Sequence, residues 1–249
     1  MKSPALFEDL NVLVTGAGKG LGRAVVEELL ARRELFPRMR IALSARSETD
    51  LSGLASLARD SGVETLILPG DLAQDPVSVV TDVTKAWGRL DILIHSAGVG
   101  RFGDFGTYSR EDVEFVTRTN VEGTFLLLQE SFNVMKKQEP RRGLRGQIQV
   151  ITSVAAEKAF EHSAVYCMSK FAQRGLLEVM RIPAAKEQIR ILDVRSGAAF
   201  TPMWGPVDAG MQARMMKPSD VAGPMVDALL LDARATIETL TIRPIGGDI

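Results

Sequence analysis

The sequence is poor in the features that mark several classes of protein. It has one cysteine, Cys167, so no disulfide can form within the chain. Its 30 Lys and Arg residues are balanced by 31 Asp and Glu residues, for a formal net charge of -1. Proteins that bind nucleic acid or anionic membranes usually carry a basic excess. We therefore expect the partner to be a small molecule, with no nucleic acid and no membrane.

Long apolar runs are also missing. No stretch approaches the roughly 18 apolar residues of a membrane span. The N-terminal segment MKSPALFEDLNVLVTG lacks the apolar core and the cleavage site of a signal peptide. Together with the single cysteine, these absences lead us to expect a cytoplasmic protein. No motif in the sequence predicts a metal site.

Seven short β-branched segments alternate with longer amphipathic stretches, which is typical of buried parallel strands joined by helices. The sequence therefore predicts an α/β fold of the Rossmann type, with a seven-stranded parallel sheet flanked by helices on both faces. We expect this doubly wound fold to form a single domain over residues 1–249. The predicted helices cover about 20–34, 48–61, 75–87, 109–138, 164–187 and 218–231. The predicted strands are NVLVT, RIALSA, ETLILPG, LDILIHSAG, GQIQVITS, IRILDVRSG and IETLTIRP.

The segment 198–216 has no clear periodicity and is rich in Gly, Pro and Met. It follows the carboxyl end of the sixth predicted strand, and ligands of such sheets bind beyond the carboxyl ends of the strands. We therefore predict that this segment is a lid over the binding site.

A glycine-rich turn joins the first predicted strand to the first predicted helix. In LVTGAGKGLG, glycines stand at Gly16, Gly18, Gly20 and Gly22. A pyrophosphate can bind at such a turn, against exposed backbone N–H groups and the positive end of the helix. Because Leu21 stands where the last glycine of G-x-G-x-x-G would be, the usable pattern is G-x-x-x-G-x-G. The alternative is a tight turn without a ligand.

The second predicted strand ends in LSARS without a carboxylate. An NAD-binding fold usually places an Asp or Glu there to bond the ribose hydroxyls. Ser44, Arg46 and Ser47 instead offer a cation and hydroxyls, and Lys19 adds a second positive charge from the glycine turn. This set suits a 2′-phosphate, so the sequence predicts NADP(H) over NAD(H).

Asp71 and Leu72 follow the third predicted strand. Their position predicts contact with the adenine edge of the cofactor. The alternative is that the aspartate caps a helix and the leucine is an ordinary core residue.

Four polar residues are candidates for chemistry. Ser153 ends the fifth predicted strand at the carboxyl edge of the sheet, where active sites in this architecture lie. Tyr166 precedes Lys170 by four residues, so both side chains share one face of a helix. Asn120 lies in a mostly apolar predicted helix, where a polar side chain needs a partner.

In this order, TGAGKGLG, HSAG at residues 95–98, Asn120, Ser153 and the Y-x-x-x-K pair resemble the short-chain dehydrogenase/reductase family. The resemblance implies a reductase in which Tyr166 is the acid and Ser153 holds the carbonyl oxygen. It implies that Lys170 lowers the pKa of Tyr166 and bonds the nicotinamide ribose, and that Asn120 holds a water in a proton relay. The implied cofactor contacts are Gly16, Gly18, Lys19, Gly20, Leu21, Gly22, Ser44, Arg46, Ser47, Asp71, Leu72, Ser96, Ala97, Gly98, Asn120, Tyr166, Lys170, Gly197, Thr201 and Met203.

The sequence departs from the family pattern at two places. Where the family usually has N-N-A-G, this sequence has H-S-A-G, with His95 and Ser96 in place of the two asparagines. Where the family usually has Pro-Gly after the sixth strand, this sequence has Ser196 followed by Gly197. We expect changed local packing at both, and a structural rather than a titrating role for His95. Cys167 is expected to pack in the core, and His162 to lie in a loop.

Longer stretches, among them ITSVAAEKAFEHSAVYCMSKFAQRGL and TPMWGPVDAGMQARMM, resemble the bacterial sepiapterin reductase branch of this family. The resemblance implies that the substrate is a pterin with a side-chain ketone. A flat pterin needs an apolar wall, which Met203 and Trp204 can provide, and a carboxylate, for which Asp248 is a candidate. The alternatives are ordinary packing in the lid and a solvated charge in the tail.

Two other functions stay open on the sequence. One is a general carbonyl reductase, including one that acts on 3-oxoacyl groups. The other is a non-catalytic NADP(H)-sensing protein, which the presence of all four candidate catalytic residues disfavours. The family also commonly pairs the helices that carry Asn120 and Tyr166, so we expect a homodimer or homotetramer.

Overall fold

The fold is built around one parallel sheet. The computed structural model describes residues 9–248, so residues 1–8, on which the expectation of a missing signal peptide partly rests, lie outside it. The seven strands stand in the order β3-β2-β1-β4-β5-β6-β7, and each neighbouring pair is parallel. They are β1 (Leu10–Thr15), β2 (Met39–Ala45), β3 (Glu64–Pro69), β4 (Ile92–His95), β5 (Gly146–Ile151), β6 (Ile189–Ser196) and β7 (Thr239–Ile242). All seven predicted strands are confirmed.

Helices cover both faces of the sheet, as the sequence predicts for a doubly wound fold. They are α1 (Gly20–Ala31), α2 (Glu48–Asp60), α3 (Ser78–Trp87), α4 (Arg110–Thr117), α5 (Thr124–Met135), α6 (Ala164–Lys186), α7 (Ala209–Arg214) and α8 (Pro218–Asp227). A π-helical segment, Arg118–Gly123, joins α4 to α5. Single turns of 3₁₀-helix occur at Arg33–Leu35, Phe105–Thr107, Val154–Ala156, Pro202–Trp204 and Ala228–Leu230.

The core lies in two layers, one on each face of the sheet. Residues of β1 alternate between them: Val12 and Val14 pack with α1, α2 and α8, whereas Leu13 packs with α3, α5 and α6. This alternation follows from the two-residue period of a strand. Because β1 is buried on both faces, its residues 12–14 are all apolar rather than alternating with polar ones.

Four predicted helix boundaries need correction. The continuous helix expected over 109–138 is interrupted by the π-helical segment and ends at Met135. The helix expected over 20–34 ends at Ala31, and the one expected from 75 begins at Ser78. The helix expected to reach 231 ends at Asp227 and continues only as a 3₁₀ turn. Helix ends depend on local capping, which apolar spacing does not report.

The predicted lid is held at both ends. Ala199 pairs with Met216, and the backbone N–H of Phe200 donates to the Met216 carbonyl at 2.9 Å. Between these ends the lid contains the turn Pro202–Trp204 and the short helix α7. Its base is therefore part of the packed fold, while Met203 and Trp204 are 47% and 39% exposed.

Candidate active site

The glycine turn packs tightly against the loop after β4. Gly16 has a positive φ of 68°, and a Cβ built on it would lie 2.7 Å from the Ala97 nitrogen. A Cβ on Gly22 would lie 2.4 Å from the Gly16 carbonyl oxygen. Neither position tolerates a side chain, because the atom it would meet is backbone. The backbone N–H of Ser96 donates to Thr15 O at 3.2 Å and completes this junction.

The N-terminus of α1 is open to an anion. Its N-cap residue, Lys19, makes no side-chain cap, and the first turn carries no acidic residue. The helix N–H groups and the positive end of the helix dipole are therefore not neutralised by α1 itself. Thr201 of the lid lies against the turn, 3.4 Å from the position of a Cβ on Gly20. These features fit the pyrophosphate of a dinucleotide.

The end of β2 carries a free cation. Among the described residues, Arg46 is exposed and has no hydrogen bond or ion pair. The Ser47 hydroxyl caps α2 by accepting from the Asp50 N–H at 3.3 Å. Ser44 is buried and holds the glycine turn through its carbonyl, which accepts from the Ala17 N–H at 3.1 Å. This edge suits a phosphate better than a ribose diol.

One acidic neighbour was missed by the sequence reasoning. The Asp50 carboxylate lies 3.3 Å from the Lys19 ammonium, so this lysine already has an anionic partner. Hydrogen bonding to Ser47 and then the ammonium of Lys19 lower the pKa of Asp50. The spacing of Lys19 and Asp50 in the sequence gives no signal for the pair, because the contact joins two different helices.

Asp71 and Leu72 lie directly after β3. One oxygen of Asp71 accepts from the Ala73 N–H at 2.9 Å, and Leu72 is buried in the core. The Leu72 carbonyl faces the π-helical segment, where a Cβ on Gly123 would approach it to 2.5 Å. Both residues thus have structural contacts, and their contact with adenine stays a prediction.

Ser153 and Tyr166 meet at the carboxyl edge of the sheet. Ser153 opens the turn Val154–Ala156, and its hydroxyl accepts from the Ala155 N–H at 3.0 Å. Burial raises the pKa of Tyr166 to about 12, while a hydrogen bond with Ser153 acts in the opposite direction. At neutral pH the phenol is therefore protonated, as a proton donor requires. Lowering of this pKa by Lys170 stays a prediction.

The Lys170 ammonium is held by two acceptors other than Tyr166. Its ammonium lies 5.6 Å from the centroid of the Tyr166 ring. Two of its hydrogens point elsewhere, to Gln173 Oε1 at 2.9 Å and to the Ile151 carbonyl at 3.3 Å. Burial lowers the pKa of Lys170 to about 8, and the negative charge of Asp193 partly opposes that change.

Asn120 lies in the π-helical segment rather than in a regular helix. Its amide is bonded to both polar atoms of the Val99 backbone, at 2.9 and 2.8 Å, and to Ser169 Oγ at 3.0 Å. Gly98 brings the β4 loop close, since a Cβ on it would lie 3.4 Å from Asn120 Oδ1 and 3.7 Å from Lys170 Nζ. Asn120 therefore anchors the loop that faces Lys170.

His95 is bonded at both ring nitrogens. Thr15 Oγ1 lies 2.7 Å from Nδ1, and Thr124 Oγ1 lies 2.9 Å from Nε2. Burial, with a smaller contribution from the charge of Lys170, lowers the pKa of His95 to about 3. The residue is thus neutral and structural, as the sequence reasoning favours. Cys167 is buried, in agreement with a packing role.

One aromatic residue contacts Tyr166, and two others line a nearby cleft. The Phe102 ring lies over Gly100, and its centroid is 5.4 Å from that of Tyr166. Phe105 and Phe160 line the adjoining cleft, and Phe105 is 87% exposed. Sequence reasoning singled out Trp204 but none of these phenylalanines, since the loops that carry them show no periodicity.

Asp248 is tied to two cations. Its oxygens lie 2.8 Å from Lys158 Nζ and 2.6 Å from Arg243 Nη2. A pterin edge would have to share the carboxylate with both. Nearby, Gly197 packs against the tail, where a Cβ would lie 3.0 Å from Pro244 Cδ. The departure at Ser196 is accommodated by its own hydroxyl, which donates to the Gly197 carbonyl at 2.9 Å.

The parallel sheet, the open glycine turn and the Ser–Tyr–Lys set together define a nucleotide-dependent oxidoreductase. The sequence matches the short chain dehydrogenase family over residues 10–212. The chain therefore belongs to the short-chain dehydrogenase/reductase family.

Particular relatives extend this comparison. A sepiapterin reductase of Chlorobaculum tepidum is 43% identical over 242 residues, which cover 96% of this chain and 97% of that protein. An alcohol dehydrogenase of Thermococcus sibiricus, solved with 5-hydroxy-NADP, superimposes with a TM-score of 0.84 at 26% identity, covering 96% and 97% of the two chains. A variant of the actinorhodin polyketide ketoreductase with NADPH gives 0.81 at 25% identity, covering 95% and 96%.

Neither a membrane span nor a metal site occurs in the part of the chain that the structure describes. No helix among residues 9–248 is long and apolar enough to span a membrane. The same residues contain no group of three His, Cys, Asp or Glu side chains placed to hold a metal ion.

Proposed function

We propose that the protein is an NADPH-dependent reductase of carbonyl groups, and that its substrate is a pterin with a side-chain ketone, as in sepiapterin. The similarity to the sepiapterin reductase of Chlorobaculum tepidum over 96% of the chain carries this proposal. Ser153, Tyr166 and Lys170, which meet at the carboxyl edge of the sheet, support it.

The reaction needs a hydride and a proton. A reduced nicotinamide, when bound, would supply the hydride, and the residues of the chain would supply the proton and hold the carbonyl. The Tyr166 phenol donates its proton to the carbonyl oxygen, and the Ser153 hydroxyl holds that oxygen by hydrogen bonding. The product is an alcohol, and the tyrosinate is reprotonated from solvent. Lys170 stabilises the transient anion by its charge.

The cofactor proposal rests on the first two loops. The open N-terminus of α1 would hold the pyrophosphate, and Arg46 would pair with the 2′-phosphate. A 2′-phosphate near Lys19 would compete with Asp50, which the lysine contacts at 3.3 Å. We propose NADP(H) as the cofactor, since no carboxylate ends β2 to bond a free ribose diol.

The aromatic residues around the site favour a flat substrate. Phe102 beside Tyr166 and Trp204 in the lid offer two apolar surfaces. Both are partly exposed, at 54% and 39%, so they are available to a ligand. A planar, hydrogen-bonding heterocycle suits such walls better than a flexible acyl chain does.

A substrate panel tests the proposal. NADPH consumption should be fastest with sepiapterin and slower with an acetoacetyl thioester or a simple diketone. Tyr166→Phe should reduce turnover roughly 10²–10⁴-fold, because it removes the proton donor, while NADPH binding measured by fluorescence should persist. Faster turnover of the thioester would favour the 3-oxoacyl alternative, and no turnover of any carbonyl would favour the sensor.

We further propose that the chain forms a homodimer or homotetramer in the cytoplasm. Helices α5 and α6 carry large apolar side chains on their outer faces. Val179 and Ile182 are each 66% exposed, and Phe125 and Phe171 are each 45% exposed. Exposed apolar residues that cluster on two neighbouring helices are typical of an interface.

A further inference from the structure

Gln173 lies between Lys170 and the π-helical segment. It follows Lys170 by three residues on α6 and is 2% exposed. Its Oε1 accepts from the Lys170 ammonium at 2.9 Å, and its Nε2 donates to the Asn120 carbonyl at 2.8 Å and to Thr124 Oγ1 at 3.0 Å. Since an ammonium only donates, the orientation of this amide is fixed.

The hydrogen bonds continue away from Lys170 in one direction. Gln173 uses both hydrogens of Nε2, so the Thr124 hydroxyl accepts from it and donates its own hydrogen to His95 Nε2. The neutral His95 then carries its proton on Nδ1 and donates to Thr15. Such a chain polarises each member in turn and strengthens the acceptor that faces the ammonium.

These hydrogen bonds also limit how the Lys170 ammonium can be oriented. An ammonium has three hydrogens, and Gln173 and the Ile151 carbonyl take two of them. No described residue accepts the third, which is left for Tyr166 and the cofactor. The same amide also occupies the Asn120 carbonyl.

We propose that Gln173 is a positioning residue for the reaction, holding the Lys170 ammonium charged and aligned by linking it to the Asn120 carbonyl and to the Thr124–His95–Thr15 chain. This inference rests on the proposed reductase function for its catalytic meaning, but the linkage itself does not depend on the substrate. Gln173 touches neither reacting atom.

The charged and titratable groups around Lys170 are few. Asp193 of β6 favours its charge. This buried carboxylate accepts from the Thr152 hydroxyl and pairs with Arg195 at 2.7 Å. His95 of β4 is neutral, and Tyr166 of α6 is uncharged at neutral pH. Gln173 is therefore the neutral group whose removal should change the charge of Lys170 most directly.

The test titrates Lys170 in the protein without cofactor. Lysine Cε resonances are followed by NMR against pH, and the signal absent from Lys170→Arg identifies the residue. Gln173→Met should lower the titration midpoint of Lys170 by about one pH unit, because a hydrogen bond to the charged form is lost. Gln173→Glu should raise it, because the acceptor is kept and gains a negative charge.

Gln149→Met is the matched control. Gln149 is also a buried glutamine, and it lies on β5. Its Nε2 donates to the Met225 carbonyl of α8 at 3.1 Å. Its substitution should lower thermal stability without moving the Lys170 midpoint. A midpoint in Gln173→Met equal to that of the wild type would overturn the proposal, and if that variant does not fold, an unchanged midpoint in Gln173→Glu would do so.

Kinetics separate this inference from the proposed function. With NADPH and sepiapterin as substrates, kcat is measured against pH. The alkaline limb of this profile should move in the same direction as the titration midpoint of Lys170 in each variant, while KM for sepiapterin stays within about twofold of the wild-type value. If the wild type does not turn over sepiapterin, the substrate proposal fails and the resonance data still decide the role of Gln173. If the Lys170 midpoint shifts and the pH profile of kcat does not shift with it, the proposed role of Gln173 in the reaction is wrong.

Discussion

At the scale of single residues, the chemistry of the site depends on charges that the fold has partly removed from water. Lys170 is 4% exposed and Tyr166 lies beside it. Burial raises the pKa of Tyr166 and lowers the pKa of Lys170, so it favours the neutral form of both side chains. The sequence predicts roles for both residues, because their spacing on one helix face occurs together with the glycine turn, Ser153 and Asn120. Sequence reasoning missed Gln173 and Thr124, whose partners come from other elements.

Arg46 should decide the choice of cofactor. Arg46→Asp should weaken NADPH binding about 10- to 100-fold, because a charge-assisted contact with the 2′-phosphate is replaced by repulsion between two negative charges. NADH binding should be unchanged or improved. Dissociation constants from fluorescence titration measure both effects. Arg59→Asp, the same change in the last turn of α2, should affect neither cofactor, and equal losses for NADPH and NADH in Arg46→Asp would contradict the assignment.

His95 should make the fold sensitive to acid. Its pKa is about 3 in the folded chain and 6.5 when unperturbed, so the unfolded state binds the extra proton as the pH falls below about 6.5. The free energy of unfolding should therefore fall by about 3 kcal/mol from this residue between pH 6.5 and pH 4. Urea unfolding of the wild type and of His95→Asn at both pH values measures it. Parallel losses in the two proteins would show that His95 is not the cause.

At the scale of elements, the π-helical segment is the feature that apolar spacing did not predict. The spacing over 109–138 is helical on both sides of it, but the extra residue in the turn depends on contacts with other segments. Gly123 packs against the Leu72 carbonyl, and Asn120 bonds the Val99 backbone. The strands were predictable because they are short segments rich in β-branched and other apolar residues, and the central ones are buried on both faces.

Substitution of Gly123 tests this packing. Gly123→Ala should lower the free energy of unfolding by about 1–3 kcal/mol, because its Cβ would approach the Leu72 carbonyl to 2.5 Å and the backbone must shift. Gly53→Ala is the matched change in α2, where no atom lies within 4 Å of the new Cβ, and it should stabilise by about 0.4–1 kcal/mol. Denaturant unfolding compares them. Two changes of the same sign would refute the packing argument.

At the scale of the whole molecule, the outer faces of α5 and α6 determine the expected association. Val179→Lys and Ile182→Lys should shift the protein towards the monomer, because each places a charge in an apolar contact. Analytical ultracentrifugation measures the assembly. Leu57→Lys, at a residue that is 41% exposed on α2, should leave it unchanged. A wild-type protein that is monomeric at all concentrations would remove the basis for this prediction.

The pairing of Ala199 with Met216 joins the two ends of the lid, so its ends are held together whatever residues lie between them. The cost of closing a longer loop grows only slowly with its length, so residues between these two can be exchanged, inserted or removed at a small cost in stability. Thr201, near one end, keeps its place at the glycine turn. In this chain, evolution and protein engineering can therefore alter residues 204–215 as one exchangeable segment, while the sheet and the glycine turn keep their structure.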